Sequence, residues 1–507
     1  SGFVRSVPQR PSGEERMYEY LINAMDIANL TGEAIILLEF AFRLSLIVWM
    51  LSQRRIEPAT RLSWIILLLA IPFLGAIIFL LIGENRFGRQ RVRRHREVLA
   101  ALDRPETHAN ADPSVNAAGR LEGPAHRMAR LAEQVNGAGP VLGNRIELFG
   151  DTDLVLKGLE RDIDAATEHC HLLFYLWLDD AAGTRIGRAL VRAAARGVAC
   201  RVLVDGVGSK DFLKSDLRRE MEAGGVSVRA ALPANAVRAI FARLDLRNHR
   251  KIVVIDRELG WTGSQNLAEA SFAPKPKFAP WVDCAVRIEG PVVKELHLLF
   301  VEDWYLDTDE MLVDTLLTPI AGKPGGIAAQ AFGTGPNFQN QAATQVIQCL
   351  VHEACEELMM TTPYFVPDNA TVVNLTTAAR RGVKVTLIVP RRNDSRLVGL
   401  ASRSSYAPLL EAGVRIHEFK GGLLHAKTTV VDRKIALVSS ANLDRRSLFL
   451  NFEAGLLVYD TDFASQLRFL QQRYLDSAVE VDPASWATIS RRHRIKQNAA
   501  ALLSPLL

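Results

Sequence analysis

The stretch His249-Arg-Lys251-Ile-Val-Val-Ile-Asp256-Arg-Glu-Leu-Gly-Trp-Thr-Gly263-Ser264-Gln-Asn266 decides how this chain is read. It returns as His425-Ala-Lys427-Thr-Thr-Val-Val-Asp432-Arg-Lys-Ile-Ala-Leu-Val-Ser439-Ser440-Ala-Asn442. The His, Lys, Asp, Ser and Asn positions recur in one register, which chance does not supply. Each run after the Lys is β-branched and bounded by polar turns, so both copies are expected to be strands followed by a hairpin.

On a strand, positions two apart share a face. His249 therefore points with Lys251, and His425 with Lys427. A neutral imidazole beside an ammonium is a nucleophile next to an anion holder, which suits a phosphodiester. Ser264 with Asn266, and Ser440 with Asn442, share a face beyond each turn and add hydroxyl and amide donors for phosphate oxygens. Asp256 and Asp432 have the opposite parity and open the turns, so they are poor candidates for orienting the imidazoles. Each copy is half of an anion site.

These paired HxKxxxxD motifs resemble the phospholipase D superfamily, and most of the chain is similar to the bacterial cardiolipin synthases. Supporting phrases are Arg-Leu-Asp-Leu-Arg-Asn-His-Arg-Lys at 243–251, Gly-Trp-Thr-Gly-Ser-Gln-Asn at 260–266, Thr-Pro-Tyr-Phe-Val-Pro at 362–367 and Asn-Leu-Asp-Arg-Arg-Ser at 442–447. The resemblance implies two repeated α/β lobes, related by a pseudo-two-fold axis, whose histidines meet in one cleft. It counts His249, Lys251, Asp256, His425, Lys427 and Asp432 as catalytic. It also implies an acid after each motif that holds the imidazole nitrogen remote from phosphorus. Asp283 and Glu453 stand at about that place. The implied activity is transfer of a phosphatidyl group from one phosphatidylglycerol to another through a phosphohistidine, giving cardiolipin and glycerol. His249 is then the nucleophile and His425 the acid, with the reverse assignment open. No cofactor and no metal are expected.

Composition is compatible with this reading without producing it. A chain of 507 residues, 48% hydrophobic, can hold two or three domains and contact a membrane. The net charge of +5 is uninformative, but Arg86, Arg89, Arg91, Arg93, Arg94 and Arg96 crowd one stretch without an acid among them. That cluster is read as a positive-inside topology signal and as a binding surface for anionic headgroups. Five unclustered cysteines suit buried thiols in a reducing compartment. No basic stripe with interleaved aromatics points to nucleic acid.

Leu62 to Ile82 carries no charge over twenty-one residues and is expected to cross a membrane, with Pro72 and Gly75 kinking it or admitting a neighbour. Ile35 to Leu51 is a weaker candidate because it contains Glu39 and Arg43, which can pair one helical turn apart. Together they make a hairpin over 33–83, and basic residues favour the following lobes on the cytoplasmic side of a bacterial inner membrane. A hairpin dipping into one leaflet is the alternative. Residues 1–32, with Pro8, Pro11 and no initiating Met, are expected to be a processed or appended extension with a short amphipathic helix.

Residues 84–140 read as a basic juxtamembrane segment and a Pro/Gly-rich linker with one helix near 125–135. Lobe 1 follows over 141–318 and lobe 2 over 319–507. Arg196-Gly-Val and Arg381-Gly-Val, then Glu222-Ala-Gly-Gly-Val and Glu411-Ala-Gly-Val, mark the repeat. Alternating strands and helices imply an α/β sandwich with a mostly parallel sheet. Arg247, just before His249, is a candidate for a headgroup or second phosphate. Tyr175 and Tyr364, in Tyr-Leu-Trp and Pro-Tyr-Phe, are candidates for the cleft mouth, with core packing equally open. His169-Cys170-His171 looks like a metal fragment but lacks a partner pair at zinc spacing, so it is read as structural. A membrane-tethered hydrolase using the same residues, a scaffold with a dead site, and a homo-oligomer are left open.

Overall fold

The computed structural model describes residues 13–53, 58–83, 89–102, 116–233, 243, 245–336 and 341–504. The chain divides into two units, Ser1–Arg86 and Phe87–Leu507.

In the first unit, α1 (Gly13–Ser52) is one continuous helix, and Glu33–Ser52 within it is long and apolar enough to cross a membrane. The expected boundary at residue 32 falls inside it, and the more polar candidate is the longer span. The stretch 62–82 is not one helix. It breaks into α2 (Pro58–Ala70) and α3 (Leu74–Ile82), with Phe73 at φ 55° in the turn. Pro72 causes this, since its ring and missing N–H end a helix and restrict the residue before it. Arg43 and Glu39 do pair, at 2.7 Å. They also serve the break: Glu39 accepts from the Phe73 amide at 3.3 Å, and Arg43 donates to the Leu68 carbonyl at 3.4 Å.

The second unit is built on one long sheet. Lobe 1 contributes β1 (Val141–Phe149), β2 (His169–Phe174), β3 (Ala199–Asp205), β4 (Ser227–Ala231), β5 (Lys251–Ile255), β6 (Leu259–Gly263) and β8 (Ala285–Glu289), with the short β7 (Trp281–Val282) outside that sheet. Lobe 2 contributes β9 (Ile327–Thr334), β10 (Glu357–Thr361), β12 (Lys384–Pro390), β13 (Arg415–Phe419), β15 (Thr428–Val431), β16 (Ile435–Ser439), β18 (Glu453–Tyr459) and β19 (Ala478–Glu480). Its short strands β11 (Phe365–Val366), β14 (Leu423–Leu424) and β17 (Leu443–Asp444) stand apart. The sheet order is β19-β13-β12-β10-β15-β16-β18-β9-β1-β8-β6-β5-β2-β3-β4. Read outward from the β9–β1 contact, each half lays down its strands in the same sequence, which is the two-fold repeat in backbone form.

The sheet is mixed, not mostly parallel. Only β2–β3–β4 and their counterparts β10–β12–β13 run parallel, and both motif hairpins, β5–β6 and β15–β16, are antiparallel. Every residue of β2, β5, β15, β16 and β18 is buried, so their apolar runs look the same for either direction. Helices cover both faces. Val293–Thr308 and Thr461–Asp476 share one core with strands of both lobes through Phe300, Trp304, Phe463 and Leu467. Separate cores fill the opposite face under each lobe.

Two expectations for residues 84–140 change. The helix at 125–135 is present as Gly123–Asn136, but it is packed into lobe 2, where Met128, Ala129 and Ala132 join the core and Arg127 pairs with Glu353 at 2.5 Å. Two arginines of the cluster on α4 (Arg89–Leu102), Arg91 and Arg94, meet acids from the helix Val293–Thr308 and just beyond it. Arg91 pairs with Asp307 at 2.8 Å, Arg94 with Asp309 at 2.9 Å, and Arg93 with Glu97 at 3.4 Å. Arg91 and Arg94 are therefore committed to docking α4 and not to headgroups. Arg86 lies outside the described residues.

Asp256 and Asp432 explain both motif hairpins. Each sits at φ 49° and is followed by an arginine at positive φ, a conformation Asp tolerates better than most side chains. The Asp256 carboxylate accepts from the Thr167, Glu168 and His169 amides at 2.8–3.0 Å, at the start of β2. Asp432 accepts from Cys355, Glu356 and Glu357 at 2.8–2.9 Å, at the start of β10. Replacing either by Ala leaves three amides without their acceptor. Asp432→Ala is expected to lose about 1–2 kcal/mol of stability, read as a lower urea midpoint, while the fraction that stays folded keeps its activity.

Candidate active site

The two motif histidines are brought together by strand pairing across the lobes. β7 of lobe 1 runs parallel to β14 of lobe 2, and His425, just after β14, donates its backbone amide to the Val282 carbonyl at 2.7 Å. The mirror contact is a parallel bridge from Asn248 to Phe452, with the His249 amide on the Phe452 carbonyl at 2.8 Å. One acid follows each receiving strand, so the carboxylates cross between the lobes. Asp283 of lobe 1 lies 2.6 Å from Nδ1 of His425, and Glu453 of lobe 2 lies 2.8 Å from Nδ1 of His249. The sequence names these acids but not which imidazole each one holds.

Ser264 and Ser440, expected on phosphate, instead donate to those carboxylates, at 2.5 Å to Asp283 and 2.6 Å to Glu453. Each hydroxyl also accepts the amide after its acid, Cys284 or Ala454, at 2.9 Å. They position the acids. The lysine ammonium groups each donate to the carbonyl of their own motif His, Lys251 at 2.7 Å and Lys427 at 2.6 Å, which leaves further N–H groups for an anion. Asn266 and Asn442 are nine-tenths buried or more, and each keeps a side-chain oxygen without a hydrogen-bond partner. The Asn442 amide nitrogen donates to Asp444 at 3.1 Å, which leaves its second hydrogen uncommitted.

Burial dominates the electrostatics. It pushes His249 down to about 4, against the opposing pull of Glu453 and helped by Lys251, so the imidazole is neutral near pH 7. His425 is lowered for the same reasons, burial first and then Lys427. Lys251 falls to about 8 and Lys427 to about 7, each chiefly through burial. Burial alone would raise Asp283 and Glu453, but their imidazoles and the lysines outweigh it and hold both low. With Nδ1 of each His bound to an anionic carboxylate, each ring presents Nε2 as the free nitrogen.

The motif fixes itself through its interleaved residue. Arg250, fully buried between His249 and Lys251, pairs with Asp303 at 2.6 Å and donates to the Glu453 carbonyl at 3.1 Å. Asp303 also accepts from Asn248 at 2.8 Å. The sequence signal was a charged residue on the core side of an apolar strand.

The remaining candidates separate. The Tyr175 ring stands edge-on to His249 with centroids 4.8 Å apart, and Lys251 Nζ lies 5.4 Å from its centre. Tyr364 donates to Asp394 at 2.8 Å, and Asp394 pairs with Lys275 of lobe 1 at 2.5 Å, a bridge over the rim. Their neighbours Trp177 and Phe365 are core residues. The Arg247 backbone pairs with Phe452, and its charge reaches Tyr175 and Asp205. Asp256 and Asp432, counted as catalytic through the motif, sit in hairpins with their carboxylates taken up by backbone amides, so their contribution is structural. Trp281, overlooked in the sequence, packs on His425 at 4.7 Å and keeps a buried indole N–H without a partner.

His169 and His171 are joined by His297, with their nitrogens within 4.8 Å of one another. Arg201 donates toward Nε2 of His171 at 3.5 Å, so Nδ1 of that ring carries the proton shared with His297 at 2.9 Å. Burial pushes His169 to about 4 and His297 to about 3. His171 and His297 are thus a neutral hydrogen-bonded pair under β2, while the buried Nε2 of His169 has no hydrogen-bond partner.

Two half-sites, each a His-Lys pair whose imidazole is held by the other lobe's acid, define a phosphodiester-transferring enzyme of phospholipase D type. The model of the cardiolipin synthase phospholipase D-like domain matches residues 159–304 and 347–473, and that of the phospholipase D-nuclease N-terminal region matches 42–84. Cardiolipin synthase A of Yersinia pseudotuberculosis serotype O:1b is 36% identical over 462 residues, 90% of this chain and 94% of the relative. That of Edwardsiella ictaluri is 35% identical over 463 residues, with the same coverage. The crystal structure of phosphatidylserine synthase from Haemophilus influenzae shares the fold with a TM-score of 0.59 at 16% identity, covering 75% of this chain and all of that one. The chain belongs to the family of bacterial cardiolipin synthases, phosphatidyltransferases of phospholipase D type. Like those relatives, it associates with membranes, and its N-terminal unit contributes an apolar helix of spanning length.

The pKa directions set a pH profile. In the free enzyme a neutral His249 is present above about pH 4, and the charged lysines are lost from about pH 7 for Lys427 and about pH 8 for Lys251. A bell-shaped kcat/KM between those limits is expected. Bound phosphate raises both lysines, so the alkaline limb of kcat should lie at higher pH, measured in mixed micelles.

Proposed function

We propose that phosphatidylglycerol is both donor and acceptor and that the reaction passes through a phosphohistidine. Nε2 of His249 attacks phosphorus while the bond to the headgroup glycerol oxygen breaks. A bound anion raises His425, so this ring carries the proton that the leaving oxygen takes. The acceptor hydroxyl then gives its proton to His425 and attacks phosphorus, the P–N bond breaks, and cardiolipin leaves with the resting enzyme restored. Lys251, Lys427, Asn266 and Asn442 hold the non-bridging oxygens, while Glu453 and Asp283 fix the tautomers.

The observation that carries this reading is the crossed pairing of Asp283 with His425 and Glu453 with His249. A site assembled so that neither lobe holds a complete His-acid pair supports a reading in which both rings act on one substrate. The basic residues flanking the N-terminal apolar segments support a cytoplasmic catalytic unit on a bacterial inner membrane.

Rapid quenching with radiolabelled phosphatidylglycerol is expected to yield a labelled enzyme with the label on His249. Label on His425 would reverse the roles, and no labelled enzyme would sink covalent catalysis. In vesicles the products should be cardiolipin and glycerol, whereas phosphatidic acid alone would make the protein a hydrolase. Glu453→Gln and Asp283→Asn should each lower kcat by about 10²–10⁴-fold, with folding intact by circular dichroism.

A further inference from the structure

We propose that the C-terminal helix Arg491–Ala501, with residues 391–397 beside it, forms a docking face that seats the lobe 2 rim of the cleft on an anionic lipid bilayer.

The helix is placed next to the cleft through three contacts. It packs on the helix Arg396–Ser404, and Ala500 shares a small core with Ala401 and Val366. Val366 belongs to β11, which pairs with β17, directly after Asn442. The loop leading into Arg396–Ser404 carries Asp394, the partner of Tyr364. The helix is thus one packed layer away from a phosphate-site candidate.

Its outward face has the composition of a bilayer-surface helix. Only Gln497 and Ala500 of the helix are buried, while Ile495 is 59% exposed and Leu502, just beyond, 80%. Arg491, Arg492, Arg494 and Lys496 are exposed and form no ion pair among the described residues. Arg391, Arg392 and Arg396 on the adjoining loop are likewise exposed and unpaired, beside Leu397 at 36% exposure.

Several arginines elsewhere on the surface are paired instead. Arg185, Arg192, Arg218 and Arg415 each meet a carboxylate within 3.0 Å. No acid occurs from residue 483 to the end, nor from 395 to 410. Aliphatic side chains among unpaired cations fit headgroup phosphates over an acyl boundary. Nucleic acid would call for aromatic stacking platforms, and a second copy would set two cationic faces against each other. The choice of an anionic bilayer rests on the proposed substrate, which is a lipid of that charge.

The test uses the full chain reconstituted in vesicles. A polarity-sensitive fluorophore on Ile495→Cys, in a Cys355→Ser background, is expected to shift to the blue in phosphatidylcholine vesicles containing phosphatidylglycerol. Shallow lipid-borne quenchers should dim it, high salt should reverse both effects, and neither should occur in phosphatidylcholine alone. Identical emission in the two vesicle types overturns the proposal, as does a shift produced by DNA or by raising protein concentration in detergent. The variant Arg491→Glu/Arg492→Glu/Arg494→Glu should raise the KM for phosphatidylglycerol at low surface mole fraction at least about tenfold, with turnover of a short-chain soluble phosphatidylglycerol within about twofold. Equal loss on both substrates also overturns it. Failure of the wild-type chain to transfer phosphatidyl groups would instead count against the proposed reaction and leave the fluorescence result standing.

Discussion

Everything at the site depends on two carboxylate–imidazole contacts that cross the molecule. Glu453 is 204 residues from His249, and Asp283 is 142 from His425. Both contacts are made by lobes that already share a sheet through β1 and β9 and a core beneath the helices Val293–Thr308 and Thr461–Asp476. A shift of one lobe would break both imidazole contacts at once. The lobe interface therefore works as part of the active site, and the buried Arg250–Asp303 pair anchors the backbone that carries one half of it.

Burying these groups has an electrostatic consequence. Two lysines, two histidines and two acids sit with little solvent between them, and the charges are held in balance by proximity. The lysines depress the imidazoles, the acids support the lysines, and serine hydroxyls support the acids. An incoming phosphodiester anion completes the balance, because it stabilises the ammonium groups that burial has weakened. Preorganisation of this kind needs no reorganisation during the reaction.

How much was legible in sequence follows from the range of each interaction. The motif hairpins, the lobe repeat and the grouping of His with Lys are local, and strand parity read them correctly, including the unsuitability of Asp256 and Asp432 as imidazole partners. The strand direction was not legible, because strands buried on both faces give uniform apolar runs in parallel and antiparallel sheets alike. Arg91 and Arg94 looked free because the acids they meet, Asp307 and Asp309, stand far along the chain, beyond the whole of lobe 1's sheet. Pro72 did signal a disturbance, but its severity depended on Glu39, which satisfies the amide released at the break from a different helix.

The departures from two-fold symmetry are as informative as the symmetry. Where lobe 2 reads Asn442-Leu-Asp444, lobe 1 reads Asn266-Leu-Ala268. Asp444 accepts from Asn442 at 3.1 Å and caps the helix Arg445–Phe449, so that asparagine has one amide hydrogen committed, whereas no such contact forms in lobe 1. Tyr175 packs directly on its histidine, while in lobe 2 Trp281, delivered from the other lobe, takes that place and Tyr364 turns to Asp394. The histidine-holding machinery is duplicated faithfully and the surroundings are not. A symmetric frame gives both rings the same tautomer and the same remote nitrogen, and the unequal walls give them different neighbours. Two chemically similar imidazoles then meet the substrate in unlike surroundings, which biases them toward unlike parts in one displacement.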